Sequence, residues 1–195
     1  MSKSILICIH AYRKAINGNK ENIVLNDRIK SAKQIADFYD SNEYEIKIVF
    51  LGGFEVNNKT TGEISKEYAD ENVPELTQKY DYVIKDKYGS NTVMELKSLN
   101  EFAEEYNPES ICLVSSKDHA PRIVREAKNI LPNKYNVLIH PSNESYTIND
   151  VEPFILEGTY PKLIKPLNKI FSVPHEKHSE LAEDLNELIE SYSND

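Results

Sequence analysis

The chain of 195 residues has no tryptophan, two cysteines and six glycines. Two cysteines cannot form the disulfide framework of a small secreted protein, and Cys8 and Cys112 each lie within an apolar run. We therefore interpret both as small buried hydrophobic residues rather than as nucleophiles or a bridge. The sequence also contains no GxGxxG, P-loop, nucleophile elbow or CxxC pair, so none of these motifs identifies a chemistry.

Positive charge and long apolar runs are also scarce. There are 23 Lys and Arg against 32 Asp and Glu, which gives a formal net charge of −9 at pH 7. Because no run of Lys or Arg forms a basic patch, we expect no nucleic-acid partner. The apolar run nearest the start, ILICI, is far shorter than the ~18 residues of a membrane-spanning helix. The pattern predicts a globular, cytoplasmic protein with no membrane partner.

Short apolar runs alternate with segments of helical spacing. The runs are rich in Ile and Val, as strands buried on both faces are, and they cover 4–9, 45–51, 80–84, 110–114 and 136–139. In the segments between them apolar residues recur every three or four positions, as at Leu25, Ile29 and Ala32 or at Leu96, Leu99 and Ala103. The alternation predicts an α/β fold: a Rossmann-like, open, mainly parallel five-stranded sheet with helices on both faces.

The composition changes after Pro141. Prolines at 153, 161 and 166 predict short, broken helical pieces, and the last segment is amphipathic, with Leu181, Leu185, Leu188 and Ile189 on one face. We expect a Rossmann-like domain over 1–145 and a helical extension over 146–195. The extension would pack on the same domain or on a partner subunit, where its helices would form a homo-oligomer.

Polar residues follow the predicted strands. In an open parallel sheet, ligands bind beyond the carboxyl ends of the strands, where the strand order reverses. A 3-2-1-4-5 order would make strands one and four neighbours there, and would also bring Cys8 near Cys112. The residues expected at this edge are His10, Arg13, Gly52, Gly53, Ser90, Asn91, Thr92, Ser115, Ser116, His119, Arg122 and His140.

Several of these residues also have a structural interpretation. Gly52-Gly53 allows a turn with positive φ, or it lets a ligand approach the backbone. Ser90-Asn91-Thr92 is typical of a helix N-cap, although the free N–H groups there could instead hold an anion. Asp118 and Pro121 are typical of the start of another helix.

His119 and Arg122 are not explained by helix capping. They would lie three residues apart on one face of a helix, near its open end. A guanidinium suits a phosphate or carboxylate, and a histidine transfers protons near neutral pH. We predict that His119 and His10 are catalytic and that the other edge residues bind the ligand. His10, His119 and His140 could meet at a metal, but no ligand motif of fixed spacing supports this, and we predict no metal site.

The order of these motifs resembles the DUF218 (YdcF/SanA/ElyC-like) family over residues 4–139. Matching positions are Arg28 and Ala32 of an Arg-x-x-x-Ala helix, Gly52-Gly53, Ser90-Asn91-Thr92, and the final Ser115, Ser116, His119 and Arg122. Three departures indicate a divergent member: Ser90 directly precedes Asn91, Glu95 replaces the family's second Asn, and the Ser-Glu-Ala element is at best ISKEYA, at 64–69. The sequence also lacks the membrane anchor of the envelope-linked members, so we expect a soluble member. The resemblance implies a Rossmann-like fold, a site at the same edge and, from one branch, S-adenosylmethionine binding.

Two functions are consistent with this pattern. The first is an enzyme that acts on a nucleotide or another phosphorylated or anionic small molecule by hydrolysis or group transfer, with His119 as acid/base. The second is a non-catalytic module that binds S-adenosylmethionine or a nucleotide. The cofactor and the ligand stay open at this point.

Overall fold

The strand–helix alternation is present in the computed structural model, which describes residues 3–11, 22–87, 91–116 and 119–142. All five predicted strands form, and so do the helices predicted between them. The elements are β1 (Ser4–His10), α1 (Asn22–Asp40), β2 (Glu45–Leu51), β3 (Glu55–Val56), β4 (Lys59–Thr60), α2 (Thr61–Asn72), α3 (Pro74–Lys79), β5 (Asp81–Lys85), α4 (Thr92–Tyr106), β6 (Ser110–Ser116), α5 (Ala120–Ile130) and β7 (Asn136–Ser142).

The five long strands form one parallel sheet in the order β5-β2-β1-β6-β7. Counted along the chain, this is the predicted order 3-2-1-4-5, and it confirms the Rossmann-like α/β fold. The short β3 and β4 pair separately as an antiparallel hairpin. β1 pairs with β2 on one side and β6 on the other, so Ile9 lies opposite both Phe50 and Val114. The strand order therefore reverses between β1 and β6.

Successive residues of each strand face two different helix layers, because side chains alternate across a sheet. Leu6 and Cys8 of β1 pack with apolar residues of α4 and α5. Ile5, Ile7 and Ile9 pack with those of α1, α2 and α3. The same alternation, continued to the strand ends, decides on which side of the sheet each polar side chain lies.

The two cysteines are buried free thiols, as predicted. Burial raises the pKa of Cys8 above its usual value and raises that of Cys112 to about 12. Their strands are neighbours, as expected. However, Cys8 packs in the α4/α5 layer and Cys112 in the α1 layer, so the two side chains lie on opposite faces of the sheet.

No helix within the described ranges is long and apolar enough to cross a bilayer. The predicted helical extension over 146–195, its boundary with the first domain and its role in self-association all lie outside the described residues.

Candidate functional site

His10 and Glu95 form a buried pair at the carboxyl end of β1. His10 is fully buried, and alternation from Leu6 and Cys8 places its side chain on the α4/α5 face. Its Nδ1 lies 2.6 Å from Oε2 of Glu95, in the first turn of α4. The other ring nitrogen, Nε2, is buried and has no hydrogen-bond partner in the part of the chain that the structure describes.

His119 lies next to this pair, at the N-cap position of α5. Its Nδ1 is 3.1 Å from the Ser115 hydroxyl, and its Nε2 is 3.0 Å from the Thr92 hydroxyl. The His119 and His10 rings are edge to face, with centroids 6.2 Å apart. Residues of β1, β6, α4 and α5 therefore meet at one point, beside the position where the strand order reverses.

The pKa of His119 lies well below the usual 6.5, chiefly because burial desolvates the ring and also because Arg28, His10 and Arg122 surround it with positive charge. The ring is therefore neutral at pH 7. A neutral imidazole has one N–H and one lone pair. One of the two hydroxyls, Ser115 or Thr92, must then accept a hydrogen bond from the ring, while the other donates one to it.

Arg28 is buried on the opposite face, where it joins β1 to β6. Its Nε and Nη2 donate to the Ser116 hydroxyl at 3.0 and 2.6 Å. Its Nη1 donates to the carbonyl oxygens of His10 and Ala11 at 2.8 and 2.9 Å. Alternation along β6 therefore separates two adjacent serines: Ser116 bonds to α1, whereas Ser115 bonds to His119.

The Gly52-Gly53 pair has a structural explanation. Gly52 has a φ of +141°, a conformation that favours glycine. A Cβ at Gly52 would lie 2.4 Å from Oγ1 of Thr61 and 2.5 Å from Cβ of Ala11. The carbonyl of Gly52 also accepts a hydrogen bond from the N–H of Gly62 at 2.8 Å. The missing side chain thus makes room for α2 and for the end of β1.

His140 does not join the other two histidines. It is buried in β7, and alternation from Leu138 places its side chain in the α1 layer, across the sheet from His10 and His119. Within the described ranges, no group of three or more His, Cys, Asp or Glu side chains could hold a metal ion. His140 thus lies on the other face of the sheet from His10 and His119, and its ligand role stays a prediction.

The start of α4 agrees with the capping interpretation. Asn91 caps α4, since its Oδ1 accepts from the N–H of Met94 at 3.1 Å. α5 begins at Ala120, with Pro121 in its first turn and His119 at the N-cap, one residue beyond the expected cap. The predicted ligand residues Arg13 and Ser90, and the expected cap Asp118, lie outside the described residues.

Arg28 and Glu95 were not among the predicted site residues, although the sequence contains a signal for each. Arg28 lies on the stripe that Leu25 and Ile29 define, and Glu95 lies on the stripe of Leu96 and Leu99. A charged residue on the buried face of an amphipathic helix needs a partner. A charged residue in the apolar stripe of each helix is therefore the sequence signal for a buried polar contact.

Comparisons with known proteins add no further constraint. No protein-family model matches the chain, and no curated protein sequence matches it. The class of the molecule is thus defined by its fold and its contacts: a Rossmann-like α/β protein with a polar cluster where the strand order reverses. The resemblance to the DUF218 family stays a prediction.

Proposed function

We propose that this protein is an enzyme that acts on a nucleotide or another phosphorylated or anionic small molecule, by hydrolysis or group transfer. The observation that carries the proposal is the His10–Glu95 pair, with one ring nitrogen 2.6 Å from a carboxylate and the other buried without a partner among the described residues. A buried polar atom without a partner calls for an explanation, and a substrate group that occupies this position would supply one.

The carboxylate of Glu95 fixes the orientation of the His10 ring. In the proposed mechanism the reactive tautomer of His10 donates Nδ1–H to Glu95 and has its lone pair on Nε2. Nε2 can then take a proton from a water molecule or a hydroxyl group, and the nearby carboxylate stabilises the imidazolium that forms. His10 would act as the general base, and Glu95 as the positioning residue that holds the ring.

Positive charge around the pair favours an anionic substrate. Arg28 lies beneath the end of β1, and Arg122 lies in the first turn of α5; both contribute positive potential at His119. A guanidinium is suited to phosphate and carboxylate oxygens. The formal charge of −9 would not prevent such binding, because a few charges in a low-dielectric site outweigh the distant surface.

The sequence pattern assigned the acid/base role to His119, whereas the geometry favours His10. Both nitrogens of His119 are within hydrogen-bond distance of protein hydroxyls, at Ser115 and Thr92. A ring held in this way is suited to orient groups around it. His10 alone has a buried nitrogen that lacks a described partner.

Turnover by purified full-length protein tests the proposal. Nucleotides, sugar phosphates and a chromogenic phosphate monoester form the substrate panel. Loss of a general base costs ~10²–10⁴ in rate, so His10→Gln should lower kcat by at least about a hundredfold. Glu95→Gln, which leaves Nδ1 without a charged partner, should lower kcat as well.

Glu104→Gln is the matched control for Glu95→Gln. Glu104 lies on the same helix, but it is exposed and pairs with Lys134. Its substitution should leave kcat unchanged, and thermal unfolding should show that all three variants are folded. Wild-type kcat in both His10→Gln and Glu95→Gln would contradict the proposal.

One observation favours a second function, a non-catalytic module that binds a nucleotide or S-adenosylmethionine. The two hydrogen bonds of the neutral His119 are typical of a residue that fixes a binding surface. A thermal-shift screen separates the two functions. A ligand at a hundredfold excess over its Kd adds ~2.7 kcal/mol to the free energy of unfolding. Such stabilisation without any turnover would favour the binding module.

A further inference from the structure

We propose that the site binds a doubly charged oxyanion of the phosphate-monoester class and takes up one proton as it does so, with His119 as the proton acceptor. The inference rests on the proposed function for the class of ligand. Beyond that function, it specifies the charge of the ligand, two negative charges, and the hydroxyl groups that would donate hydrogen bonds to it.

Ser115, His119 and Thr92 form a hydrogen-bond chain. With His119 neutral, one hydroxyl donates its only hydrogen to the ring, so that hydrogen is not available to a ligand. When the ring gains a proton from solvent, both of its nitrogens become donors and both hydroxyl oxygens accept. The hydrogens of Ser115 and Thr92 are then both free to donate to an anion. Protonation therefore adds one donor and one positive charge.

The titratable and charged groups that face His119 are Arg28 of α1, Arg122 of α5, and His10 of β1, which is paired with Glu95 of α4. Burial, together with the two guanidinium groups, favours the neutral ring. A dianion beside them would offset that field and favour the charged ring. A monoanion at the same place would do so about half as strongly, because the Coulomb energy scales with charge.

Two helix N-termini meet at the His119 side chain. Thr92 is the first residue of α4, which has 15 residues, and His119 is the N-cap of α5, which has 11. Their side chains are joined by the 3.0 Å contact. Both helices thus direct the positive ends of their dipoles to one place. The buried Nε2 of His10, without a partner in the described ranges, independently marks a position for a ligand group.

Isothermal titration calorimetry of the full chain with sulfate tests the inference. Sulfate remains dianionic near neutral pH, so any proton taken up on binding belongs to the protein. Titrations in two buffers with different ionisation enthalpies count that proton. We expect uptake close to one proton per ion, and affinity that rises about tenfold for each pH unit lowered between the pKa values of the free and bound states.

Three variants test which residue takes up the proton and which positive charge holds the ion. His119→Gln keeps a side chain that can hydrogen-bond but cannot be protonated, so sulfate should bind with no proton uptake. Arg122→Gln should weaken binding. Lys134→Gln removes one positive charge from the loop after α5, where Lys134 pairs with Glu104, and should leave affinity and proton uptake unchanged.

The possible failures are distinguishable. Sulfate binding without proton uptake, or with the same uptake in His119→Gln, would overturn this inference and leave the proposed function standing. Equal weakening by Lys134→Gln and Arg122→Gln would show that the ion binds general surface charge, and would overturn it too. If neither sulfate nor inorganic phosphate binds, both this inference and the anionic-ligand class of the proposed function fail.

Discussion

Nδ1 of His10 lies 2.6 Å from Oε2 of Glu95, although the two residues are 85 positions apart in the chain. The last residue of the first strand thus depends for its orientation on the first turn of α4. Neither residue is exposed enough for water to replace its partner easily. The pair therefore couples the packing of α4 on the sheet to the orientation of one imidazole.

The two histidines should have separable kinetic roles. If His10 is the general base, His10→Gln lowers kcat because proton transfer is lost from the transition state. If His119 holds the ligand, His119→Gln mainly raises KM. Steady-state kinetics on the best substrate of the panel measures both. A kcat effect confined to the His119 variant would instead support the acid/base role that the sequence pattern assigns to it.

Acid should destabilise the protein through His119. Its folded-state pKa lies below the unfolded value of about 6.5, so below that pH the unfolded chain binds more protons than the native one. The contribution of His119 is fully present above pH 6.5 and is lost as the pH falls toward the folded pKa, by up to about 1.4 kcal/mol per pH unit. In urea unfolding between pH 7 and pH 5, the free energy of unfolding should fall less steeply in His119→Gln than in the wild type. Equal slopes for wild type and variant would contradict the assignment.

Arg28 should contribute strongly to stability. Arg28→Met leaves the Ser116 hydroxyl and the carbonyls of His10 and Ala11 without their donor. A buried unsatisfied group costs ~1–3 kcal/mol, so the variant should lose about 3 kcal/mol or more of unfolding free energy in urea. Lys30→Met, on the exposed side of the same helix, is the control and should change stability little. A loss below about 1 kcal/mol would show that water replaces the guanidinium.

Gly52→Ala should destabilise the protein more than Gly53→Ala. The alanine would have to adopt a φ of +141°, with its Cβ within 2.5 Å of Thr61 and Ala11. Strained backbone of this kind costs ~1–3 kcal/mol before any steric clash is counted. The φ of Gly53 is not positive, which makes it the neighbouring control. Thermal unfolding of both variants checks the order, and equal midpoints would remove the structural explanation of Gly52.

Neither cysteine should react in the folded protein. Cys8 and Cys112 are buried and their pKa values are raised, so little thiolate forms at neutral pH. A thiol reagent such as Ellman's reagent should label no cysteine in native protein at pH 7.5, and both after unfolding in guanidinium. Rapid labelling without denaturant would show that one of these strands is accessible.

The apolar pattern was sufficient for the strands, the helices and their order. Buried parallel strands are short runs of Ile and Val, and chain connectivity then allows few arrangements. The edge of the sheet that holds His10, Ser115 and His119 followed from the same reasoning. Arg13 and Ser90 lie outside the described residues, so their ligand roles stay predictions.

The composition of the site was harder to predict, because it depends on the face to which each strand-end residue points. His10 and His140 each follow a predicted strand, yet they lie on opposite faces of the sheet. The face of each depends on the alternation of core residues along its own strand. The same alternation places the side chains of Cys8 and Cys112 on opposite faces of the sheet. Arg28 and Glu95 lie within helices rather than after strands, so a search of strand ends alone could not find them.

Ser115 and Ser116, the last two residues of β6, have different roles although they are adjacent. Ser116 anchors the guanidinium that joins two strands, while Ser115 contacts the imidazole of the site. A change of Ser115 to alanine removes a contact of the imidazole directly. A change of Ser116 to alanine reaches the same imidazole only through the guanidinium of Arg28, whose charge acts on His119.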